Sequence, residues 1–359
     1  MDRRTIDVYE DGAAAYAERR RAYAPRRAEA FAAAVAPGGV RLDLGAGPGH
    51  YLPHLGAPAV ALDAAPAMLV QARRRHPGTP AVAADLEALP LRAGGLAGVW
   101  ASKSLQHVER GRLPMALAGV HRALAVGGIF DLTVFGGEGA DRTGGSDDFP
   151  GRRFTWWRPG LLRDLLVGAG FMVDELAEPE GGEHGRVVAR ATRARTLPDT
   201  VGPGMRLLMC GLNPSLYAAD AGIGFARPGN RYWPAALAAG IVATDRSPDR
   251  ALADHGVGMT DLVKRATTAA AELTADEYRA GLARVERLVA WLRPGAVCFV
   301  GLAGWRAAVD RKSVAGVQPA ELAGVPVYVM PSTSGLNARV PLAELADHLR
   351  AAARLADGG

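Results

Sequence analysis

At 359 residues the chain is longer than one typical domain, with length enough for two separate hydrophobic cores. Its composition, 49% hydrophobic and 22% charged, is that expected of a soluble globular protein; no apolar run reaches the length of a bilayer span, and the mixed-charge start MDRRTIDVYED is no signal peptide, so no membrane partner and a cytoplasmic location are expected. The net charge of +5 permits a polyanionic partner without demanding one, and two cysteines are too few for the four ligands of an iron–sulfur cluster.

The opening 31 residues are rich in Ala and Arg, with Tyr9, Tyr16 and Tyr23 about two helical turns apart, which predicts one or two amphipathic helices lying over a site. VRLDLGAGPGHY (40–51) then reads as a strand and a Gly-rich turn. Gly45, Gly47 and Gly49 let backbone approach a ligand, and a helix should follow. A second strand, AVALDAAPAML (59–69), carries Asp63 where doubly wound folds offer an acid to ribose hydroxyls, and a third, PAVAADLEALPL (80–91), carries Asp85. LAGVWASKSLQHV (96–108) and ALAVGGIFDLTVF (123–135) give the fourth and fifth strands, and FTWWRPGLLRDLLVGAGFMVDEL (154–176) a helix leading into another strand.

These blocks together resemble the class I S-adenosylmethionine-dependent methyltransferases, over residues 5–192. The resemblance implies that the glycine turn, with Asp43 at its start, lies along the methionine part of S-adenosylmethionine, that Asp63 takes the ribose and that Asp85 meets the adenine amino group. On the residues alone Asp43 reads equally as a structural acid holding the turn. Gln106 and His107 fall where an acceptor would lie, although a lone His after a strand more often packs. Trp156 and Trp157 line a pocket or cap the core, and for one of them the core is the better reading. No Asp-Pro-Pro-Tyr or Pro-Cys pair of the kind used by base-modifying methyltransferases is present, so the acceptor stays open.

From Arg193 to Gly204 periodicity gives way to Pro and Gly, which marks the domain boundary: 1–195, a linker at 196–204, and 205–359. Met205–Cys210 is a continuous apolar strand, and Gly211 turns the chain so that Leu212 and Asn213 sit at its carboxyl end, the edge where open α/β sheets bind ligands. Pro214 biases Asn213 out of the helical region and so fixes its amide, which would then orient a water. Phe225 supplies a flat apolar face; Pro228, Gly229 and Asn230 start a helix with Tyr232 and Trp233 in its first turn. Thr274 and Glu277 form a capping box for a helix ending at Pro294. Two further strands, 295–300 and 325–330, each lead into a helix. Cys210 and Cys298 lie in apolar runs and read as buried free thiols.

GLNPS (211–215), GFARPGNRYW (224–233), GMTDLVKR (258–265) and VMPSTSGLNAR (329–339), in that order, resemble the mismatch-specific uracil/thymine DNA glycosylases over residues 205–356. The resemblance implies that Asn213 positions the attacking water and that Gly211, Leu212, Pro214, Phe225 and Asn230 form the base pocket. It also implies a DNA-facing loop in which Ser332, Thr333 and Ser334 offer hydroxyls and N–H groups to phosphates. There Gly335 permits the turn, Leu336 wedges into the stack vacated by a flipped nucleotide, and Arg339 anchors a phosphate or faces the unpaired guanine. Ser215 stands where the best-known members carry Gly. Asp261 reads as a base-reading group or a helix cap.

The fold class expected is α/β: two doubly wound three-layer domains, one Rossmann-like and one uracil-DNA-glycosylase-like. The function expected is a monomeric repair glycosylase that removes mispaired uracil, thymine or an alkylated pyrimidine from duplex DNA, slowly and without metal or cofactor. It would be fused to a methyltransferase domain that binds S-adenosylmethionine. The alternatives are a methyltransferase whose second half only binds DNA, and a damage-binding module with both activities impaired.

Overall fold

The computed structural model describes residues 1–138, 141–143, 148–178, 185–337 and 339–358. The chain divides into two compact units, Met1–Val167 with Phe171–Ala194, and Arg195–Gly359 with Gly168–Gly170.

The first unit is built on β1 (Arg41–Leu44), whose four residues are all buried. It pairs in parallel with β2 (Ala59–Asp63) on one side and β4 (Leu96–Ser102) on the other. β3 (Ala81–Ala83) lies outside β2, and β5 (Leu124–Gly136) outside β4, giving the order β3-β2-β1-β4-β5. That order reverses between β1 and β4, and the reversal opens a crevice at the carboxyl ends of the strands.

Past β5 the sheet turns antiparallel. β9 (Arg186–Arg193) pairs with β5, and β8 (Phe171–Ala177) with β9. β7 (Arg153–Trp157) joins the end of β5, and β6 (Asp141–Thr143) pairs with β7. The helices are α1 (Arg3–Asp11), α2 (Ala13–Arg19), α3 (Pro25–Ala34), α4 (Leu52–Leu55), α5 (Pro66–Arg75), α6 (Leu113–Ala123) and α7 (Pro159–Gly168).

The amino-terminal stretch thus forms three helices in place of the one or two expected. Gly12 caps α1 so closely that a Cβ there would lie 2.9 Å from the Val8 carbonyl oxygen, which bends the chain, and Pro25 starts α3 in its first turn. Trp157 is fully buried and its indole N–H donates to Thr155, whereas Trp156 is half-buried and stacks on Phe135.

The second unit has β10 (Leu207–Gly211), α8 (Leu216–Ala221), α9 (Tyr232–Ala239), α10 (Pro248–His255), β11 (Val257–Asp261), α11 (Ala275–Leu292), β12 (Ala296–Val300), α12 (Leu302–Ala308), β13 (Gly316–Val317), β14 (Val327–Met330) and α13 (Leu342–Ala356). Its five strands run β11-β10-β12-β14-β13, parallel except for β13 at one edge. β10 and β12 are buried throughout, as central parallel strands covered on both faces must be. Leu207, Met209, Tyr232, Trp233, Cys298 and Leu349 share one core cluster, and both cysteines are buried free thiols. Thr274 and Glu277 form the capping box of α11. Among the described residues no helix is long and apolar enough to cross a membrane.

Candidate functional sites

In the first unit the three glycines after β1 all have positive φ but do different things. A Cβ on Gly45 would lie 2.2 Å from Cβ of Ser104, whose hydroxyl donates to the Leu44 carbonyl at 2.6 Å. A Cβ on Gly49 would meet Leu52, Ala72 and His76, so this glycine serves packing of the turn on α5 and not the approach of a ligand. Only Gly47 has nothing within 4 Å. It opens onto a cleft of about 460 Å³, much of it open to solvent, lined by Tyr9, Tyr16, Gly45, Gly47, Asp63, Met68, Leu86, Ser102, Lys103, Ser104 and His107 among others.

Asp43 lies beneath this turn, 1% exposed, and among the described residues its Oδ2 has no hydrogen-bond partner. Burial, and then the neighbouring Asp63, push its carboxyl up to about 8. Asp63 accepts from the Gly47 N–H at 2.8 Å through Oδ2 and from the Ala65 N–H at 2.9 Å through Oδ1. Asp85 follows β3, accepts from the Glu87 N–H and lies 2.6 Å from the Met1 amino group; its neighbour Leu86, not Asp85 itself, faces the cleft.

The roof over the cleft comes from α1 and α2, whose Tyr9 and Tyr16 rings meet edge to face at 5.5 Å. Arg152 donates to the Tyr9 hydroxyl at 2.7 Å, which leaves the Tyr9 proton for Nε2 of His107 at 2.8 Å. Nδ1 of His107 then carries the hydrogen and donates to the Arg153 carbonyl at 2.7 Å. With both ring nitrogens engaged, His107 is a wall of the cleft. Gln106 is buried beside it, and the Thr155 hydroxyl donates to its backbone carbonyl.

In the second unit, β10 delivers Gly211, Leu212 and Asn213 to the sheet edge. The Asn213 side chain is half-buried, and the two hydrogens of Nδ2 are shared among the Thr267 hydroxyl at 2.8 Å, the Arg265 carbonyl at 3.0 Å and the Pro214 carbonyl at 3.2 Å. The amide nitrogen is spent on the loop, and among the described residues the amide oxygen has no partner. The Pro214 carbonyl also takes the Thr267 N–H, while Gly211 and Leu212 carbonyls accept from Leu262 and Val263. The block after β11 therefore clamps the block after β10.

Phe225 sits at φ +58, a conformation that costs a residue with a side chain, and stacks on Tyr232 at 4.2 Å with 23° between planes. A Cβ on Gly211 would lie 3.4 Å from the Phe225 ring and 2.5 Å from Oδ1 of Asp261. Gly211, Phe225 and Asp261 thus converge, and burial pushes the Asp261 carboxyl up to about 6. Sequence spacing left Asp261 undecided; its parallel register opposite Gly211 is what brings it here. Asn230 accepts from the Tyr232 N–H at 2.9 Å and so starts α9.

In the polar loop after β14, Leu336 is 91% exposed and Arg339 is exposed. Thr333, in contrast, is 1% exposed and its carbonyl accepts from the Arg231 N–H, so its hydroxyl is not on the surface where the sequence reading put it. Ser332 and Ser334 are half-buried, their hydroxyls accepting from the Ser334 and Leu336 N–H groups. Gly335 is pressed against Gly229: a Cβ there would lie 2.9 Å from the Gly229 carbonyl oxygen.

Residues 42–128 match the family described as Methyltransferase domain, and residues 198–354 match the Uracil DNA glycosylase superfamily. Among solved structures, the chain is similar to the 1,6-didemethyltoxoflavin-N1-methyltransferase of Burkholderia thailandensis, solved with 1,6-didemethyltoxoflavin and S-adenosylhomocysteine (24% identity, 53% of this chain and 85% of that one, TM-score 0.41). It is also similar to an S-adenosylmethionine-dependent methyltransferase from Mesorhizobium loti (20% identity, 46% of this chain and 98% of that one, TM-score 0.37). The chain therefore joins a methyltransferase domain to a domain of the uracil DNA glycosylase superfamily.

Proposed function

We propose that the second half hydrolyses the N-glycosidic bond of uracil, thymine or an alkylated pyrimidine mispaired in duplex DNA, and that the first half binds S-adenosylmethionine for methyl transfer. The observation that carries the glycosylase reading is the Asn213 amide, its two nitrogen hydrogens shared among three acceptors while its oxygen, among the described residues, has no partner. Breaking a glycosidic bond develops positive charge on the sugar and negative charge on the leaving base. A fixed carboxamide oxygen accepts one hydrogen of a water and directs its lone pair at the sugar, without itself taking a proton. Gly211, Leu212, Pro214, Phe225 and Asn230 form the base pocket, with Phe225 as its stacking face. Ser332, Ser334, Gly335, Leu336 and Arg339 meet the DNA, and exposed Leu336 fills the gap left by the extruded nucleotide. With no carboxylate base in its water-holding loop the enzyme is slow, and it favours poorly stacked bases, which cost less to evert.

The first-unit cleft fits S-adenosylmethionine: an orphaned buried carboxylate oxygen on Asp43, the open Gly47 turn, the acid of Asp63 and an apolar floor of Met68 and Leu86. Asp43, Gly45 and Gly47 would lie along its amino-acid end, with Asp63 at the ribose and Leu86 at the adenine; Asp85, turned to Met1 and Glu87, does not take the adenine amino group expected of it. The bound group supplies an activated methyl; the chain orients it and excludes water.

The test is a labelled duplex with a guanine–uracil pair, treated with alkali to cut abasic sites. Wild type should give strand cleavage, and Asn213→Ala should lose it by about a hundredfold or more while still binding the duplex. Unchanged cleavage in the variant, or none in wild type, would leave the second half a DNA-binding module. Titration with S-adenosylmethionine before and after Asp63→Ala tests the first half, and the absence of heat from wild type would overturn it.

A further inference from the structure

Leu336 stands 91% exposed at the tip of the loop after β14, and the main chain on either side of it is held from one residue. Arg231, at the N-cap of α9, donates its main-chain N–H to the Thr333 carbonyl at 2.9 Å, on the arm before the tip. Its guanidinium donates to the carbonyls of Asn337 and Val340, on the arm after it. Both arms are thus tied to the start of α9.

Two further contacts close the arch. Nδ2 of Asn337 donates to the Ser332 carbonyl at 2.9 Å, and the Asn337 N–H to the Ser334 carbonyl at 2.9 Å, so that one arm is joined to the other. Thr333 is buried beneath, and Gly335 packs on the Gly229 carbonyl with no room for a Cβ. These ties fall on main chain and leave the Leu336 side chain projecting.

An apolar side chain that enters a stack of bases has to arrive in register with the nucleotide being everted. Every loop residue whose backbone is ordered only at that moment adds an entropic cost, and a tip misplaced by about 1 Å forfeits much of its effect. A loop fixed on both arms meets that cost in folding, before DNA arrives. Arginine suits the task because its planar fork reaches two carbonyls at once, where lysine offers a single point.

We propose that Arg231 is a positioning residue for base eversion, acting through Leu336 by fixing the arch that presents it. The inference rests on the reading of Leu336 as the side chain that fills the gap left by the extruded nucleotide. Neighbouring residues then have separate tasks: Asn230 starts α9, Arg231 holds the loop, and Tyr232 backs the Phe225 ring.

The test is a double-mutant cycle on the full chain, read as single-turnover formation of abasic sites at a guanine–uracil pair in duplex DNA. Arg231→Met keeps the aliphatic stem and removes the guanidinium donors; it should slow the reaction about tenfold or more, as should Leu336→Ala. In the Leu336→Ala background, Arg231→Met should slow it by less than about a further twofold, because the arch then presents nothing. A merely structural arginine would slow both backgrounds alike. Should Arg231→Met fail to fold, Asn337→Ala cuts the tie between the arms without touching α9, and the same non-additivity with Leu336→Ala is expected of it. Effects that multiply in the double variant overturn the proposal, as does an Arg231→Met protein that cleaves like wild type. Wild type that leaves the duplex intact sinks the glycosylase reading, and Leu336→Ala that cleaves at the wild-type rate sinks the wedge; in either case the proposal falls with what it rests on.

Discussion

Asp261 shows how one buried carboxyl couples the second unit to pH. Its pKa of about 6, against an ordinary 3.8, arises because burial penalises the charged form more than Lys264 and Arg284 favour it. A carboxyl that titrates higher in the fold than in the unfolded chain supports the fold most where it is protonated. That support is complete below 3.8 and is lost as pH rises through 6. Asp261→Asn keeps the shape without the charge, so it should raise stability by about 3 kcal/mol at pH 8 and by only about 0.5 kcal/mol at pH 4. Urea melts at the two pH values check this, and an equal gain at both would show that the carboxyl is not desolvated. Residues of this kind are only half legible in a sequence. Asn213 stands out because Gly211 and Pro214 bracket it, and Gly47 because it falls with Gly45 and Gly49 in one strand–helix turn, although only the fold separates it from those two. Arg231 carries no such mark: the two carbonyls its guanidinium reaches lie 106 and 109 positions downstream, and only the fold brings them to it.

Among the elements, the junction of β11 and α11 does most to hold the second site. Arg284 of α11 donates to Asp199 at 2.7 Å, to the Thr260 hydroxyl at 2.9 Å and to the Asp261 carbonyl at 2.9 Å, and Lys264 donates to Asp199 at 2.8 Å. Asp199, Lys264 and Arg284 are nearly excluded from water. Deleting one partner strands the rest: Asp199→Ala leaves two buried cations and should cost about 3–5 kcal/mol. A shift of the urea midpoint by less than the error of measurement would mean that water enters the cluster. The helix and strand content of this region was readable from the Thr274–Glu277 cap and the apolar period of α11. The cluster was not. Asp199 falls in a Pro- and Gly-rich stretch that reads as a boundary, and its partners lie 61, 65 and 85 positions downstream. Thr333 is the reverse case, a residue whose type suits a phosphate contact and whose loop nonetheless turns it inward.

At the scale of the whole molecule, the alternation of strands with helices and the Gly- and Pro-rich change near residue 200 are enough to anticipate two α/β sheets, because each rule is local. The residues proposed for the cofactor all belong to the first unit and those proposed for base excision to the second. Saturating S-adenosylhomocysteine should therefore change the rate of abasic-site formation by less than about twofold, since an effector acts only through differential affinity for two states. A larger change, measured on the guanine–uracil duplex, would establish coupling. The mooring of Asn213 to Thr267, 54 positions away, has one more implication. Variation that tunes a site need not fall on the atoms facing a ligand: exchanging Thr267 for a residue without a hydroxyl would remove one of the three acceptors around the carboxamide and, on the reading proposed above, loosen the aim of the water with every proposed pocket side chain unchanged.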